Sequence, residues 1–177
     1  GSLATINSTE GVLYAEIAAL ADDGTNRRIS LSDDTNNNRV VIYYATSNNL
    51  LVLVRVANTT SFAYTFNTDT KQFLKIGLKW KQNDFALWVN GVKLAGNTSG
   101  NTFPENTLND FSFTDGSGTS LPFYGKTKAL AVWKEALSDQ ELADLTYPTP
   151  TDPTFSLDFD TIAEQFTFAR GSEATYV

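Results

Sequence analysis

The feature that most constrains the fold is residues 74–94, LKIGLKWKQNDFALWVNGVKL. Its first eight residues alternate between large apolar and polar or small side chains, the period-2 pattern of a strand with one buried face. A polar turn leads to a second alternating segment at 85–89. Asn90-Gly91 then predicts a type I′ turn, because both central residues of that turn need a positive φ. The predicted antiparallel meander has one apolar face, which a second sheet must cover.

Segments rich in β-branched and aromatic residues supply the other predicted strands. Polar turns separate them at the short, regular spacing typical of a sandwich. A capping box formed by Ser138 and Glu141 predicts the start of one short C-terminal helix. Residues 95–109 are interpreted as an excursion outside the core. The sequence thus predicts an all-β fold, a two-sheet antiparallel β-sandwich, whose further strands lie at about 11–20, 27–32, 39–46, 50–57, 61–66, 111–113 and 128–134.

We predict that the sandwich domain spans residues 1–147 and that a Pro-rich linker occupies 148–154. Residues 155–177 contain two strand-like segments, which are too few for a core of their own. Two interpretations stay open for this C-terminal extension: an edge strand of the sandwich, or the truncated start of a neighbouring module. Because the chain contains no methionine and begins with Gly-Ser, we interpret it as a piece of a longer protein.

Several function classes are excluded by composition. The 177 residues contain no histidine and no cysteine, which excludes Ser-His-Asp catalysis, His- or Cys-ligated zinc and a cysteine nucleophile. The net charge of −7 argues against a nucleic-acid partner, since affinity for nucleic acids depends on neutralising phosphates. No run of 18 apolar residues is present, so no membrane-spanning segment is predicted.

Two segments, LWVNGVKL at 87–94 and LAVWKEALSDQE at 130–141, resemble the laminin-G/concanavalin-A-like jelly rolls. In that superfamily a strand holding an aromatic residue is followed by a Leu-Ser-x-x-Glu helix start. The resemblance covers about residues 11–146 and implies a jelly-roll topology. The segments GVLYAEIAAL, RRISLSD, NNRV and FTFARGSEATYV also resemble sandwich modules of bacteriophage tail-fibre and structural proteins, and of related prophage proteins of gut bacteria.

These resemblances imply a non-enzymatic, carbohydrate-binding or surface-display module of a tail fibre or spike, located on the virion or outside the cell. The expected partners are a host-surface glycan or other virion modules, with no nucleic acid and no membrane. Two alternatives stay open. One is a polysaccharide-degrading enzyme of the glucanase or lyase type, and the other is a structural spacer that forms a homotrimer in the parent fibre.

Sugar sites combine an aromatic ring, which stacks on the apolar face of a pyranose, with polar groups for the hydroxyls. Trp88 is the leading candidate, because the alternation of its strand places it opposite the apolar residues. Tyr43 and Tyr44 point to opposite faces, so at least one of them is expected at the surface. Tyr124 lies near a Gly-Ser loop. Trp80 and Trp133 are assigned to the core.

Acidic residues in loops supply a further hypothesis. Carboxylates at a loop rim bind Ca²⁺ in some laminin-G-like domains, and the matching positions here are Asp22, Asp23, Asp33, Asp34 and Asp115. Solvated turns are the competing interpretation, since no EF-hand motif is present. No other cofactor is predicted.

Two further clusters carry charge. Asp158 and Asp160 alternate on a predicted strand as the carboxylates of β-glucanases do, but Ile162 breaks the pattern before Glu164. Ordinary exposed carboxylates are therefore the preferred interpretation. A basic stripe indicates either a solvated strand face or a contact with an anionic polysaccharide, and it consists of Lys75, Lys79, Lys81 and Lys93.

Overall fold

The computed structural model of the chain describes residues 6–45, 48–117 and 120–148. The chain divides into two units, Gly1–Tyr147 and Pro148–Val177, and the elements below belong to the first. Apart from Pro148, the predicted linker at 148–154 and the extension at 155–177 lie outside the described residues. Asp158, Asp160 and Glu164 therefore lie outside them as well.

Ten strands and one helix form in the described part of the chain. The strands are β1 (Glu10–Ala19), β2 (Arg27–Ser32), β3 (Arg39–Tyr44), β4 (Asn49–Val56), β5 (Thr59–Asn67), β6 (Leu74–Lys81), β7 (Phe85–Val89), β8 (Val92–Asn97), β9 (Asp110–Ser112) and β10 (Gly125–Trp133), and the helix is α1 (Asp139–Thr146). Each predicted strand has a counterpart among them.

The strands form two five-stranded sheets. Sheet A has the order β10-β1-β6-β7-β8, and sheet B has the order β5-β4-β3-β2-β9. Every pair of neighbouring strands is antiparallel. The predicted class, a two-sheet antiparallel β-sandwich of the jelly-roll type with one short helix, is confirmed.

One apolar core lies between the sheets. Alternate residues of each central strand point inward, so β1 supplies Leu13 and Ile17 while β3 supplies Val40 and Ile42, all four fully buried. Trp80 of β6 is also fully buried, and its indole Nε1 donates to the carbonyl of Ser8 at 3.1 Å. The core places the intervening residues of every strand on one of two outer faces.

The predicted meander is β6, β7 and β8. Ile76 pairs with Val89 in the β6–β7 register, and Val89 pairs with Val92 across the following turn. Asn90 and Gly91 have φ values of 49° and 81°, as a type I′ turn requires.

Two assignments of core residues from the sequence were wrong. Residues 95–109 are not an excursion, because 95–97 belong to β8, Phe103 and Leu108 enter the core cluster, and the Leu108 N–H donates to the Ser8 hydroxyl at 2.8 Å. Trp133 is only partly buried and lies on the outer face of sheet A, edge-on to Tyr14. It pairs with Val12, which shares that face, so the strand register overrides the preference of a large aromatic residue for the core.

The helix α1 begins as predicted. The Ser138 hydroxyl accepts from the Glu141 N–H, and the Glu141 carboxylate accepts from the Ser138 N–H at 2.8 Å. At the other end the Thr146 hydroxyl accepts from the Gly91 N–H at 3.1 Å, which joins α1 to the β7–β8 turn. Within residues 6–45, 48–117 and 120–148, no helix is long and apolar enough to cross a membrane.

Candidate functional site

The outer face of sheet A is covered by α1 over its central strands. The methyl group of Thr146 and a terminal carbon of Leu142 lie 3.1 and 3.3 Å from the position that a Cβ on Gly77 would take. Trp88 is the strand partner of Gly77, and its indole Nε1 is buried without a hydrogen-bond partner among the described residues. This face is therefore occupied by the protein's own helix.

The outer face of sheet B has a different character. Side chains that alternate away from the core lie on this face. They include Arg28 of β2, Arg39 and Tyr43 of β3, and Arg55 of β4. Val41 is fully buried although it lies outside the core cluster, so the longer side chains around it lie over the sheet. The polar residues of this face, which we call the arginine face, are Arg28, Ser30, Ser32, Arg39, Tyr43 and Arg55.

Arg39 is the first residue of β3, the middle strand of the arginine face, and is only 6% exposed. Its Nη1 donates to the side-chain oxygen of Asn36 and to the carbonyl of Asp115, at 2.7 Å in the second case. Its Nε is buried and has no hydrogen-bond partner among the described residues. Burial lowers the pKa of Arg39, and the charges of Arg28 and Arg55 lower it further. An arginine nevertheless stays charged at neutral pH, so the site holds converging positive charges.

Arg28 and Arg55 lie on the two strands that pair with β3. Arg55 is the direct partner of Arg39 in the β3–β4 register, and Arg28 is the direct partner of Tyr43 in the β2–β3 register. The Arg28 guanidinium carbon lies 4.5 Å from the centroid of the Tyr43 ring, a cation–π contact that fixes the Arg28 side chain. The arginine face therefore combines a planar aromatic support with guanidinium donors.

Two loops border the arginine face. Residues 113–117 are fixed over β2, because Ser30 donates to the carbonyl of Thr114 at 3.0 Å and Ser32 donates to the carbonyl of Gly116 at 2.9 Å. On the other side, the Asn58 N–H donates to the carbonyl of Asn37 at 2.9 Å, which holds the β2–β3 loop against the β4–β5 turn. These contacts give the face fixed walls built largely from backbone groups.

The four aromatic residues predicted to bind sugar lie in four different surroundings. Tyr44 is buried in the core, where its ring stacks on Phe123 with 6.1 Å between centroids. Tyr124 is 65% exposed. Only Tyr43 lies on the arginine face, while Trp88 lies beside the surface that α1 covers. The four assignments stay predictions.

The acidic residues predicted to bind calcium do not come together. Asp23 pairs with Arg27 at 2.8 Å, Asp33 accepts from Thr35 at 2.6 Å, and Asp115 accepts from Ser117 at 2.7 Å. Asp22 lies in another contact, where it accepts from the Asn48 N–H at 2.7 Å. Across the described ranges no group of three or more acidic side chains has metal-binding geometry.

Asp34 shares its loop with Asp33, and its positive φ of 62° marks it as a turn residue. Calcium binding by Asp22, Asp23, Asp33, Asp34 and Asp115 stays a prediction. Side-chain oxygens of Asp22, Asp33 and Asp115 accept hydrogen bonds from their own or neighbouring loops, and Asp23 forms an ion pair with Arg27.

The lysines of the predicted basic stripe are engaged within the protein. Lys79 is buried and lies 2.8 Å from Asp84, while Lys93 lies 2.8 Å from Asp139. Lys81 lies 3.0 Å from Glu10. The fourth, Lys75, donates to the carbonyl of Tyr147 at 3.0 Å. An anionic ligand would therefore compete with existing partners along this stripe.

A groove separates the edge strands β5 and β8, with a volume of about 560 Å³. Phe62, Tyr64, Leu94 and Asn97 are among its lining residues. The groove contains no charged side chain, unlike the arginine face.

The sequence analysis missed the arginine face. The available signal was the presence of one arginine at an outward position in each of three apolar segments, RRISLS, RVVIYY and LLVLVRVA. Alternation alone predicts that Arg28, Arg39 and Arg55 point away from the core. Their convergence depends on the pairing of β2 with β3 and of β3 with β4, which the local pattern does not encode.

The two packed five-stranded sheets define the protein as a jelly-roll β-sandwich. Residues 12–143 match the family described as the concanavalin A-like lectin/glucanases superfamily, and the chain belongs to this family. A comparison with curated proteins found no significant match.

Solved structures share the fold. One is the CBM40 of an IT-sialidase from Ruminococcus gnavus bound to α2,3-sialyllactose, with 15% identity and a TM-score of 0.64 over 79% of this chain and 83% of that chain. A second is the leech intramolecular trans-sialidase, with 18% identity and a TM-score of 0.64 over 80% of this chain. A third is the NanB sialidase of Streptococcus pneumoniae, with 15% identity and a TM-score of 0.65 over 84% of this chain. The alignments span 24% of the leech enzyme and 25% of NanB.

Proposed function

We propose that the domain is a non-catalytic carbohydrate-binding module and that the arginine face of sheet B is its binding surface. The observation that carries the proposal is the contrast between the two outer faces. α1 packs on sheet A, whereas sheet B presents fixed guanidinium donors and the ring of Tyr43 between two anchored loops. Directed donors beside an aromatic ring are the groups that recognise sugar hydroxyls and pyranose faces.

The structural neighbours support the proposal without identifying a ligand for this chain. The Ruminococcus gnavus CBM40 is bound to sialyllactose, and the two enzymes that share the fold over part of their length are a trans-sialidase and a sialidase. A fold that serves in such proteins is compatible with glycan recognition by the present domain.

A glycan array followed by calorimetry tests the proposal. We expect binding of at least one array glycan, and we expect Tyr43→Ala to weaken it about tenfold or more, because the substitution removes the ring that supports Arg28. Tyr64→Ala is the matched control, since Tyr64 is a partly exposed tyrosine in the groove between β5 and β8. Absence of binding to every glycan would contradict the proposed function. Loss of binding in Trp88→Ala but not in Tyr43→Ala would instead locate the site on sheet A.

The non-catalytic assignment has a separate test. The carboxylate of Asp115 borders this face, and its pKa is lowered because hydrogen bonds from Ser117 and Asn36 outweigh the effect of partial burial. An ionised, hydrogen-bonded carboxylate is a poor general acid. We therefore expect no release of reducing ends from the bound glycan. Such release would establish the glucanase or lyase alternative.

Display on a virion fibre or spike stays a prediction from the resemblance to phage modules. In that setting the domain would present the arginine face to a host-surface glycan while neighbouring modules supply the attachment. Light scattering on the domain in a longer parent protein tests the associated trimer: a stable threefold mass favours the fibre, and a monomeric mass contradicts the homotrimer.

A further inference from the structure

The arginine face has an unusual balance of charge for this protein. The whole chain carries a net charge of −7. Arg28 and Arg55 nevertheless lie close enough to Arg39 for their charges to lower its pKa. Like charges directly opposite each other on neighbouring strands destabilise a sheet, and Arg39 and Arg55 are such a pair. The fold therefore concentrates positive charge where its average composition is acidic.

The described residues offset only part of the charge of this cluster, since the Asp115 carboxylate raises the pKa of Arg39 against the effects of burial, Arg28 and Arg55. No Asp or Glu side chain among them lies within 4.0 Å of the nitrogens of Arg28, Arg39 or Arg55, although six other close ion pairs do form. Asp115 is near enough for Arg28 to lower its pKa, but its carboxylate accepts from Ser117 at 2.7 and 3.0 Å. Asp110 lies opposite Ser32 at the edge of the same face. Three cations thus face one carboxylate that is already hydrogen-bonded, with a second at the edge.

The three guanidiniums also have unused donors. The Nε atoms of Arg28, Arg39 and Arg55 are all buried without a hydrogen-bond partner in the described part of the chain. Arg39 is more than nine-tenths buried, and its hydrogen bonds to Asn36 and to the Asp115 carbonyl both come from Nη1. Buried donors without acceptors cost free energy. Arg28 and Arg55 are partly exposed, and an oxyanion at their accessible nitrogens would supply the missing negative charge.

We propose that the arginine face binds the anionic group of an acidic glycan, either a carboxylate or a sulfate ester. This inference rests on the proposed function and names the ligand class for the same surface. Guanidinium groups match the planar oxygen pair of a carboxylate and the oxygens of a sulfate through charge-assisted hydrogen bonds. Arg39 is the fixed element of the site, held by Asn36 and the Asp115 carbonyl. Arg28 and Arg55 are partly exposed and reach the ligand from either side.

The geometry also assigns a positioning role to Tyr43. Its ring lies under the Arg28 guanidinium at 4.5 Å and restricts the side chain to the outer face. A flexible arginine would lose rotamer freedom on binding, whereas a supported one has already lost it. Tyr43→Leu removes the cation–π contact but retains an apolar support. Its expected signature is a larger loss of affinity for acidic glycans than for neutral ones, because the acidic ligands depend more on Arg28.

The test compares three ligands that share one sugar: lactose, α2,3-sialyllactose and lactose with a 3′-sulfate ester. We expect the wild-type domain to bind one or both acidic ligands about tenfold or more tightly than lactose. The carboxylate and sulfate ligands identify the anion that the site prefers. Affinity for the preferred ligand should fall as the NaCl concentration rises, since salt screens charge interactions between exposed groups.

Two substitutions separate the site from the general charge of the domain. Arg55→Gln should weaken binding of the preferred acidic ligand about tenfold or more. Lys126→Gln removes the same charge from β10 of sheet A, where the side chain is exposed, and should leave the affinity unchanged. A thermal melt of each variant shows that it is folded. Arg28→Gln provides a second variant if Arg55→Gln does not fold.

The outcomes separate this inference from the proposed function. Equal affinity for lactose and both acidic ligands, unaffected by Arg55→Gln, would overturn the anion site while supporting the carbohydrate-binding module. Binding of an acidic ligand that both Arg55→Gln and Lys126→Gln weaken equally would also overturn it, because the effect would then reflect net charge. If no glycan binds, stabilisation by sodium sulfate that Arg55→Gln abolishes would support an anion site and contradict the carbohydrate function. Absence of both effects would overturn both proposals.

Discussion

At the scale of single residues, burial without a partner is the most informative property of this chain. Tyr44 is 3% exposed, and its hydroxyl has no hydrogen-bond partner among the described residues. Arg28, Arg39 and Arg55 show the same mismatch for guanidinium nitrogens. In the tyrosine the mismatch lies in the core, and in the arginines it lies on an outer face. The unpaired Tyr44 hydroxyl affects the stability of the fold, whereas the unpaired arginine nitrogens are a basis for recognising a ligand.

We expect Tyr44→Phe to raise the free energy of unfolding by about 1 kcal/mol, because it removes a buried, unsatisfied hydroxyl and keeps the ring that stacks on Phe123. Urea unfolding measures the change. Tyr14→Phe is the control, since Tyr14 lies on the outer face of sheet A and its hydroxyl is not among the buried unsatisfied groups. A destabilised Tyr44→Phe variant would mean that the hydroxyl has an acceptor in solution.

The buried tyrosines also predict a loss of stability at alkaline pH. Burial raises the pKa of Tyr44, and burial with the nearby Glu16 charge raises the pKa of Tyr14 to about 12, against an ordinary value of 10.0. Because the pKa of each tyrosine is higher in the folded than in the unfolded protein, the neutral hydroxyls contribute their full stability below pH 10. That stability is lost as the pH rises through the pKa values of the folded state. Chemical unfolding at several pH values above 9 should show a shallower decline in Tyr44→Phe than in the wild type. An equal decline of the free energy of unfolding with pH in the two proteins would contradict a raised pKa of Tyr44.

At the scale of elements, the sequence predicted most of what local chemistry decides. The alternation of β6 and β7, the Asn90-Gly91 turn and the Ser138–Glu141 capping box each depend on residues close in the chain, and each is confirmed. Residues 95–109 were misassigned because a long Gly- and Pro-containing segment has no periodicity to mark Phe103 and Leu108 as core residues. Their burial is a property of the assembled fold.

The position of α1 on sheet A also depends on contacts between residues far apart in the chain, above all on the hydroxyl of Thr146. Thr146 is fully buried, and its hydroxyl both donates to the carbonyl of Leu142 at 2.8 Å and accepts from the Gly91 N–H. Thr146→Val keeps the shape but leaves the Gly91 N–H without its acceptor. We expect a loss of about 1–3 kcal/mol in the free energy of unfolding. Hydrogen exchange of the Gly91 amide should become faster.

Thr146→Ser is the control for that substitution, because it keeps the hydroxyl while removing the methyl group that packs near Gly77. It should retain the slow exchange of the Gly91 amide. Equal exchange rates in the wild type and Thr146→Val would show that the hydroxyl is not the acceptor of this N–H.

At the scale of the whole molecule, the sandwich gives its two outer faces different roles. Sheet A is covered by a helix that follows its edge strand β10, and sheet B presents the arginine face. The sequence predicted the two sheets and Tyr43 as one candidate for the site, because alternation within single strands decides both. It did not predict the arginine cluster, which requires β2, β3 and β4 to pair in one register.

The most direct test of the account is an NMR titration of the isotopically labelled domain with α2,3-sialyllactose and with lactose 3′-sulfate, observing backbone amides and arginine Nε–H groups. We predict that the shifts from the bound acidic ligand cluster on β2, β3 and β4, with the largest changes at Arg28, Arg39 and Arg55. Shifts confined to Trp88, α1 or the groove between β5 and β8, or no shifts with either ligand, would contradict the account.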